Sequence, residues 1–471
     1  MSNLGIDLGT GSVKAAVLDD AGAIVAKSGR AYAVNAPQPG WAESDPAQWL
    51  DATRAVVAEV LADPGDDITA VGFSGQMHGV VVLDADLAPL RPAVLWADGR
   101  ATEQAAALQA DLGMAELSRL GSPAVTGFAA TTLAWLLAHE PEVMARAAFV
   151  LQPKDWLRAV LGGGVATDPS DASGTLLYDV VDGRWSAVML DWLGLDPALL
   201  PPVLASADRC GEVLLAGRDE PVPAAIGGAD TACALAGLGL GPGSGFVAVG
   251  SGAQVVRVMS VPDLDPSLRT HTFATAGAVG QGWYRIGAVQ SSGLTLTAAL
   301  GWLDATIPEA SAALASGVAA SDPVFVPYLS GERTPFMDPT LRGSWHGLSL
   351  ATDRAAMLRS ILEGVAQAVA LGVEAVQGSG EQLPDVVPLI GGGTHDPSFQ
   401  QLLSDATGLT LAITDAPDSA VVGAGLLARG AGALGRPVAS VHTVIPRSGA
   451  AALLAERRAT MVQHAQPKGR P

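Results

Sequence analysis

"GIDLGTGSVK" (residues 5–14) places an aspartate inside what reads as a buried strand. Gly5, Ile6, Leu8 and Val13 give the stretch an apolar frame, Asp7 interrupts it, and Gly9, Thr10, Gly11 and Ser12 follow. A buried carboxylate with no partner costs several kcal/mol, comparable to the stability margin of a whole domain. The stretch therefore calls for a partner or a ligand. Beyond it, "AAVLD" (15–19) alternates, "DAG" (20–22) supplies a turn and "AIVAKSGRAYAV" (23–34) reads as a third strand, predicting a three-stranded meander.

The same grammar returns later. "FVAVGSGAQVVRVMS" (246–260) predicts a strand, a turn at Gly250-Ser251-Gly252 and a Val-rich second strand. The offset between the two glycine turns, 250 − 9 = 241, is about half of the 471 residues, so the chain reads as two halves of like architecture, 1–240 and 241–471. Each half also carries helices and strands in alternation. "DPAQWLDATRAVVAEVLAD" (45–63) predicts a helix capped by Asp45 with Pro46 in its first turn, followed by the buried strand "ITAVGFSG" (68–75). "TDRAAMLRSILEGVAQAVALGVEAVQ" (352–377), "VVPLIGGG" (386–393) and "PSFQQLLSDATG" (397–408) predict helix, strand and helix in the second half. Two α/β halves imply a cleft between them, where ligands usually bind.

Composition narrows the ligands. With 27 basic against 47 acidic residues the formal charge is −20, which disfavours nucleic acid and anionic membrane as partners. Small anions remain open, because backbone N–H groups at turns and a bound cation hold phosphate without a basic patch. Hydrophobic residues make up 49% and charged residues 16%, the balance of a globular chain. Cys210 and Cys233 are the only cysteines, which offers no disulfide framework or zinc site and suits a reducing cytoplasm. No leader is visible at the start. The uncharged run 231–256 is long enough to span a bilayer, but its seven glycines and one proline predict buried loop, strand and hairpin.

Gly-Thr-Gly-Ser between two strands exposes successive N–H groups and lets a phosphate approach closely, and two such turns could grip a polyphosphate. Neither turn carries the G-x-x-x-x-G-K-[ST] loop or the G-x-G-x-x-G spacing. Gly391-Gly392-Gly393 ends a strand before a helix, a place suited to a nucleotide base and ribose. Asp7, just ahead of the first turn, is then placed to bind Mg²⁺, which needs few protein ligands. "AAIGGADTACALAGLG" (224–239) repeats the opening puzzle with Asp230, read either as a helix N-cap or as the acceptor of a substrate hydroxyl proton. An aspartate of ordinary acidity, near 4, suffices where the proton leaves late. "GFSGQMHGVVVLD" (72–84) brings Gln76, Met77 and His78 to a strand end, and "VLWADGR" (94–100) offers Trp96, Asp98 and Arg100, groups that suit the wall of a polyol site.

At these residues the chain resembles the FGGY family of carbohydrate kinases, within the actin/hexokinase-like (ribonuclease H-like) superfamily, over nearly its whole length. "GIDLGTGSVK" looks like the first phosphate motif, "GQMHG" (75–79) the sugar motif, and "QPKDWLR" (152–158) with "TDPSDASGTLLYDV" (167–180) the middle segment. "GGADTACA" (227–234) is similar to the catalytic-base motif, "YLSGERTPFMDPTLRGSWHGL" (328–348) to the second-domain connector, and "GGGTHDPSFQQLLSDATG" (391–408) to the adenosine motif. The resemblance implies two α/β domains that transfer phosphoryl from ATP with Mg²⁺ to a ketopentose, D-xylulose first, with ribulose or another ketose or polyol as the alternative and an actin-like ATP-binding module as the non-enzymatic one. A homodimer is compatible with it.

By the same resemblance Asp230 is the proton acceptor and Asp7 supports the metal. It also implies that Met77 and His78 contact the sugar, that Thr10 and Ser12 with Lys14 cradle phosphates and that Gly392 and Gly393 line the adenine pocket; the residues themselves add Gln76, Trp96 and Asp98 on the sugar side and Gly11, Gly250, Ser251 and Gly252 on the phosphate side. The chain departs from the family pattern at Ala97, Thr131-Thr132, Ser251 and Ala356, and none of these touches Asp7 or Asp230 in sequence.

Overall fold

The computed structural model describes residues 2–62, 67–216, 218–378, 382–392, 395–430, 435 and 440–465. The predicted meander forms. Strands Ser2–Leu8, Ser12–Leu18 and Ile24–Ala31 pair antiparallel in sequence order. Strand Ile68–Gly75 then runs parallel to the first, Val222–Ala225 parallel to that, and Arg209–Val213 closes the edge antiparallel. The second sheet repeats this order. Gly245–Val249, Ala253–Met259 and Trp283–Val289 form its meander, Val386–Ile390 and Thr410–Ile413 follow parallel, and His442–Val444 closes the edge antiparallel. His271–Ala274 adds one further strand to its outer side.

Local chemistry accounts for several boundaries. Helix Pro46–Val60 starts where the Asp45 side chain accepts the Ala47 N–H, with Pro46 at a position whose missing N–H costs nothing. Its buried face, Trp49, Thr53, Val56, Val57 and Val60, packs on the first sheet's core with Leu4, Ile6 and Val17. Helix Arg354–Gln377 is long and apolar enough to span a membrane, yet most of it lies inside the second half, packed with Val255, Val289 and Phe325. The uncharged run 231–256 is not only loop and hairpin, because its first residues continue a helix, Asp230–Gly237. Alanine and leucine dominate there, and they favour helix before the glycines take over.

One element leaves its own half. Helix Ser419–Leu427, from the far end of the chain, packs on the first sheet and on helix Asp230–Gly237. Glycines make the contact possible: a Cβ on Gly5 would sit 2.1 Å from the Val421 carbonyl oxygen, one on Gly72 1.9 Å from that of Ala424, and one on Gly423 1.9 Å from that of Cys233. Such distances exclude any side chain. The two helices thus form the joint between the halves, and the loop ahead of Ser419 lies over the second and third strands, where Asp418 meets Lys14 and Lys27.

Candidate active site

Asp7 finds its partner in the neighbouring strand. Its parallel register partner is Ser74, whose Oγ donates to Asp7 Oδ1 at 2.8 Å. Across the antiparallel pair stands Lys14, but its Nζ is engaged by Asp418 Oδ1 at 3.2 Å and the Pro417 carbonyl at 3.4 Å. Burial therefore wins, and the Asp7 carboxyl is held above the usual range despite the Ser74 hydroxyl and the Lys14 charge. Only Oδ1 receives a hydrogen bond among the described residues, leaving the other oxygen for a ligand.

Asp230 comes to the same place by register. Gly228 pairs with Ser74 as Ser74 pairs with Asp7, so three strands side by side bring the chain to about 10 Å from Asp7, two residues before Asp230. Asp230 is the first helical residue rather than the N-cap, which is Ala229. Its Oδ1 accepts the Thr231 N–H at 2.5 Å and the Thr231 hydroxyl at 3.2 Å. Burial and then the charge of Asp7 push its carboxyl up to about 6 against those two hydrogen bonds. The ordinary acidity expected from sequence gives way to a carboxylate poised near neutrality.

The first glycine turn follows Asp7 directly, and the second occupies the equivalent place in the other sheet. In the first, the Gly9 N–H donates to the Ser12 carbonyl at 2.9 Å, and the Tyr32 N–H to that of Gly11 at 3.1 Å. Trp96 Nε1 donates to Thr10 Oγ1 at 2.8 Å, so Trp96 anchors the first glycine turn. In the second, Gly293 and Leu294, opening helix Gly293–Trp302, donate to the carbonyls of Gly250 and Ser251, both at 3.0 Å. Gly391, with φ 99°, crosses over this turn's base, where a Cβ would lie 2.5 Å from the Val249 carbonyl. Gly392 faces open space and lines two cavities, of about 320 Å³ with Leu296, Ile307 and Phe399 and of about 380 Å³ with Thr414 to Pro417. The segment carrying Pro417 and Asp418 therefore reaches both the Lys14 end of the first hairpin and the Gly392 cavity. Gly393 lies outside the described residues.

The sugar-side candidates divide. His78 adopts φ 70° and shares a proton with the Gly174 carbonyl through Nδ1 at 2.5 Å, while burial drops its pKa to about 4. A neutral imidazole donating from Nδ1 keeps a lone pair on Nε2. Met77 is buried, with the Tyr284 hydroxyl 3.7 Å from its sulfur. Gln76 is buried and its Nε2 donates to the Gly9 carbonyl at 3.4 Å, while its Oε1 has no protein partner among the described residues. Asp98 is occupied: it accepts the Ala42 N–H at 2.6 Å and both the N–H and guanidinium of Arg100, which also reaches Glu43. The Arg100 guanidinium in turn stacks 3.6 Å over Trp41.

Several residues of the site escaped the sequence reading. Ser74 shows no signal beyond a hydroxyl in an apolar strand. Gly174 does: a Cβ there would crowd the Met77 Cε at 2.9 Å and His78 Nδ1 at 3.3 Å. Beneath the floor lies a buried charged layer, where Lys154 Nζ meets Asp155 at 2.7 Å, Asp168 at 3.1 Å and Asp171 at 3.0 Å. Ser170 Oγ, bound to Asp168, also accepts the Ala229 N–H at 2.9 Å, tying this layer to the residue before Asp230. The polar residues of 152–158 and 167–173 were the visible signal of it.

Twin sheets of this order, with two neighbouring carboxylates on the first of them, are those of the actin/hexokinase-like class of phosphotransferases. The chain belongs to the FGGY family of carbohydrate kinases, whose N-terminal domain matches residues 2–237 and C-terminal domain residues 260–431. It is 35% identical over 420 residues to a xylulose kinase of Escherichia coli K12, covering 87% of this chain and 85% of that one. A xylulose kinase of Bacillus subtilis is 30% identical over 441 residues, covering 90% and 87%. A solved structure from Brucella ovis, described as a xyloylose kinase, superposes with a TM-score of 0.92 at 31% identity and covers 98% of both chains. The protein is a carbohydrate kinase with ATP as its phosphoryl donor.

Proposed function

We propose that this kinase phosphorylates D-xylulose at its primary hydroxyl, giving the 5-phosphate, with Asp230 accepting the proton. The observation that supports the mechanism is that register through Ser74 brings Asp230 beside Asp7, close enough for the charge of one to raise the other. The sugar assignment rests on the similarity to xylulose kinases over most of the chain.

Asp230, held by Thr231, takes the hydroxyl proton as the oxygen attacks phosphorus, a step in which positioning supplies most of the rate. His78 accepts a sugar hydroxyl at Nε2, and Met77 packs against sugar carbon. Gln76 and Trp96 brace the first phosphate turn through Gly9 and Thr10. Asp98 acts through Arg100 and the Ala42 backbone as a positioning residue. Thr10, Gly11, Ser12 and Lys14 on one side, with Gly250, Ser251 and Gly252 on the other, take the phosphates; Gly392 and Gly393 take the adenosine.

Asp7 fits a Mg²⁺ ion, having one free carboxylate oxygen, a raised carboxyl and its nearest lysine already paired. Bound there, the ion would screen the phosphate charge. The functional partition is 1–240 for sugar, first turn and base, and 241–471 for second turn and adenosine. A cytoplasmic setting belongs to the same reading.

A coupled assay of ADP release across ketoses and polyols tests it. Turnover highest with D-xylulose supports the assignment; a higher kcat/KM for ribulose or another acceptor replaces it, and sugar-independent ATP turnover removes it.

A further inference from the structure

Arg333 stands apart from the other partly or fully buried arginines. Arg100, Arg158, Arg257 and Arg457 all meet carboxylates. Arg333, in the "SGERTPF" segment, makes no ion pair and no side-chain hydrogen bond among the described residues, although burial alone already pulls its pKa below the usual value. Its neighbour Glu332 cannot serve. That carboxylate is spent on the backbone N–H groups of Gln290 at 2.6 Å, Ser291 at 3.2 Å and Arg333 itself at 2.8 Å. Thr334 fixes the other side, donating to the Arg269 carbonyl at 2.9 Å and accepting the Ala288 N–H at 3.1 Å. The residue is thus clamped to the second sheet with an unused guanidinium.

That guanidinium crosses to the other half. Its carbon lies 5.8 Å from the centre of the Trp96 ring, and Trp96 holds Thr10. Its charge also reaches His78 and His271, and adds to the burial that keeps both imidazoles neutral. Asp230 is governed instead by burial, Asp7 and Thr231. Geometry places it by its neighbours: Thr334 bonds Ala288 and Arg269, each two residues from the His271–Ile286 pair of these strands, so Arg333 lies beside His271 as well as over Trp96. A second group there is unsatisfied: His271, 3% exposed, bonds Ser122 Oγ through Nδ1 at 2.7 Å, while its Nε2 has no partner among the described residues. Phe128 stacks 5.8 Å from His271 and 4.0 Å from His78, joining the imidazoles of the two halves through one aromatic ring.

An unpaired fork of donors, an unpaired imidazole nitrogen and a neutral His78 around an aromatic wall make a subsite for the oxygens of a neutral ketose. We propose that Arg333 is the second half's contribution to sugar recognition: it donates to the carbonyl oxygen and adjoining hydroxyl of the ketose, at the end away from the hydroxyl facing Asp230, and so sets preference for ketose over polyol. This rests on the kinase reading above and adds to it the residue that senses the carbonyl. Because the donor comes from one half and the sugar bed from the other, sugar binding also draws the halves together.

Calorimetric titration of D-xylulose, xylitol and ADP into wild type, Arg333→Gln and Arg333→Lys tests the assignment. Loss of a charged donor to a buried oxygen is expected to weaken D-xylulose binding roughly 10- to 100-fold in Arg333→Gln. The preference over xylitol should be largely gone in Arg333→Gln and reduced, with a smaller loss of D-xylulose affinity, in Arg333→Lys, while ADP affinity stays within about twofold of wild type in both. D-xylulose affinity within about twofold of wild type in both variants, or an equal loss of ADP affinity, overturns it. Should Arg333→Gln not fold, the ketose-to-polyol ratio of Arg333→Lys decides. If wild type turns over a different ketose, the reading of the substrate fails, and the same ratio measured with that ketose and its polyol still decides the role of Arg333.

Discussion

Asp7 and Asp230, more than two hundred residues apart in the chain, lie close enough that the charge of the first helps lift the carboxyl of the second to about 6. Both sit in the strand-to-turn or strand-to-helix transitions of one sheet, brought together through Ser74. Two neighbouring like charges are unstable unless something cationic or protic joins them, which is what the proposed nucleotide with its cation and the acceptor hydroxyl would supply.

In the proposed role of proton acceptor, Asp230 works only when ionised. With its carboxyl at about 6 in the free protein, kcat/KM for the sugar should fall about tenfold per pH unit below that value and level off above it. Asp230→Asn should lower kcat by roughly 10²- to 10⁴-fold and leave ADP affinity unchanged. Turnover by Asp230→Asn close to wild type would show that the proton goes elsewhere.

The same group weakens the fold. Its carboxyl rises from 3.8 to about 6 on folding, so the folded state binds more protons across that interval and stability falls as pH rises through it. Asp230→Asn should then be more stable than wild type at pH 7, by at most about 3 kcal/mol, with the gain vanishing below about pH 4. Denaturant midpoints of the two proteins at both pH values measure this, and equal midpoints at pH 7 would contradict it.

Ser74→Ala removes the hydroxyl that steadies Asp7. The carboxyl should rise further and hold a cation less well, so the Mg²⁺ concentration giving half-maximal rate should increase several-fold while the sugar KM stays put. A Mg²⁺ titration at fixed MgATP shows whether Asp7 belongs to the metal.

Gly174→Ala pushes a methyl into Met77 and His78. The sugar KM should rise by roughly tenfold, since a displaced contact of this kind is worth about 1–2 kcal/mol, and the ATP KM should not. Steady-state kinetics with each substrate varied separate the two.

Gly423→Ala would set a methyl 1.9 Å from the Cys233 carbonyl at the joint of the halves, whereas Gly301, in an exposed part of helix Gly293–Trp302, has nothing near its added Cβ. The first change should cost about 3 kcal/mol or more, or prevent soluble expression, and Gly301→Ala should be neutral or slightly stabilising. Thermal unfolding of the two variants gives the comparison.

Much of this protein was written locally. Alternation set the strands, Asp45 and Pro46 set the start of a helix, and the spacing of two glycine turns announced a duplication that six strands of each sheet repeat in order. Asp7 and Asp230 could be picked out because a carboxylate in an apolar stretch needs a reason, and that reason is visible one residue at a time. What the sequence could not contain was adjacency. That Ser74 rather than Lys14 bonds Asp7, that Asp98 is held by Arg100, that Gly174 makes room for His78 and that helix Ser419–Leu427 returns to the first sheet all depend on register between distant strands and on how closely two backbones pack. Hydrogen bonds and contacts act over a few ångströms, so only the folded chain decides which of its polar groups are spent on one another and which, like the Arg333 guanidinium among the described residues, are not.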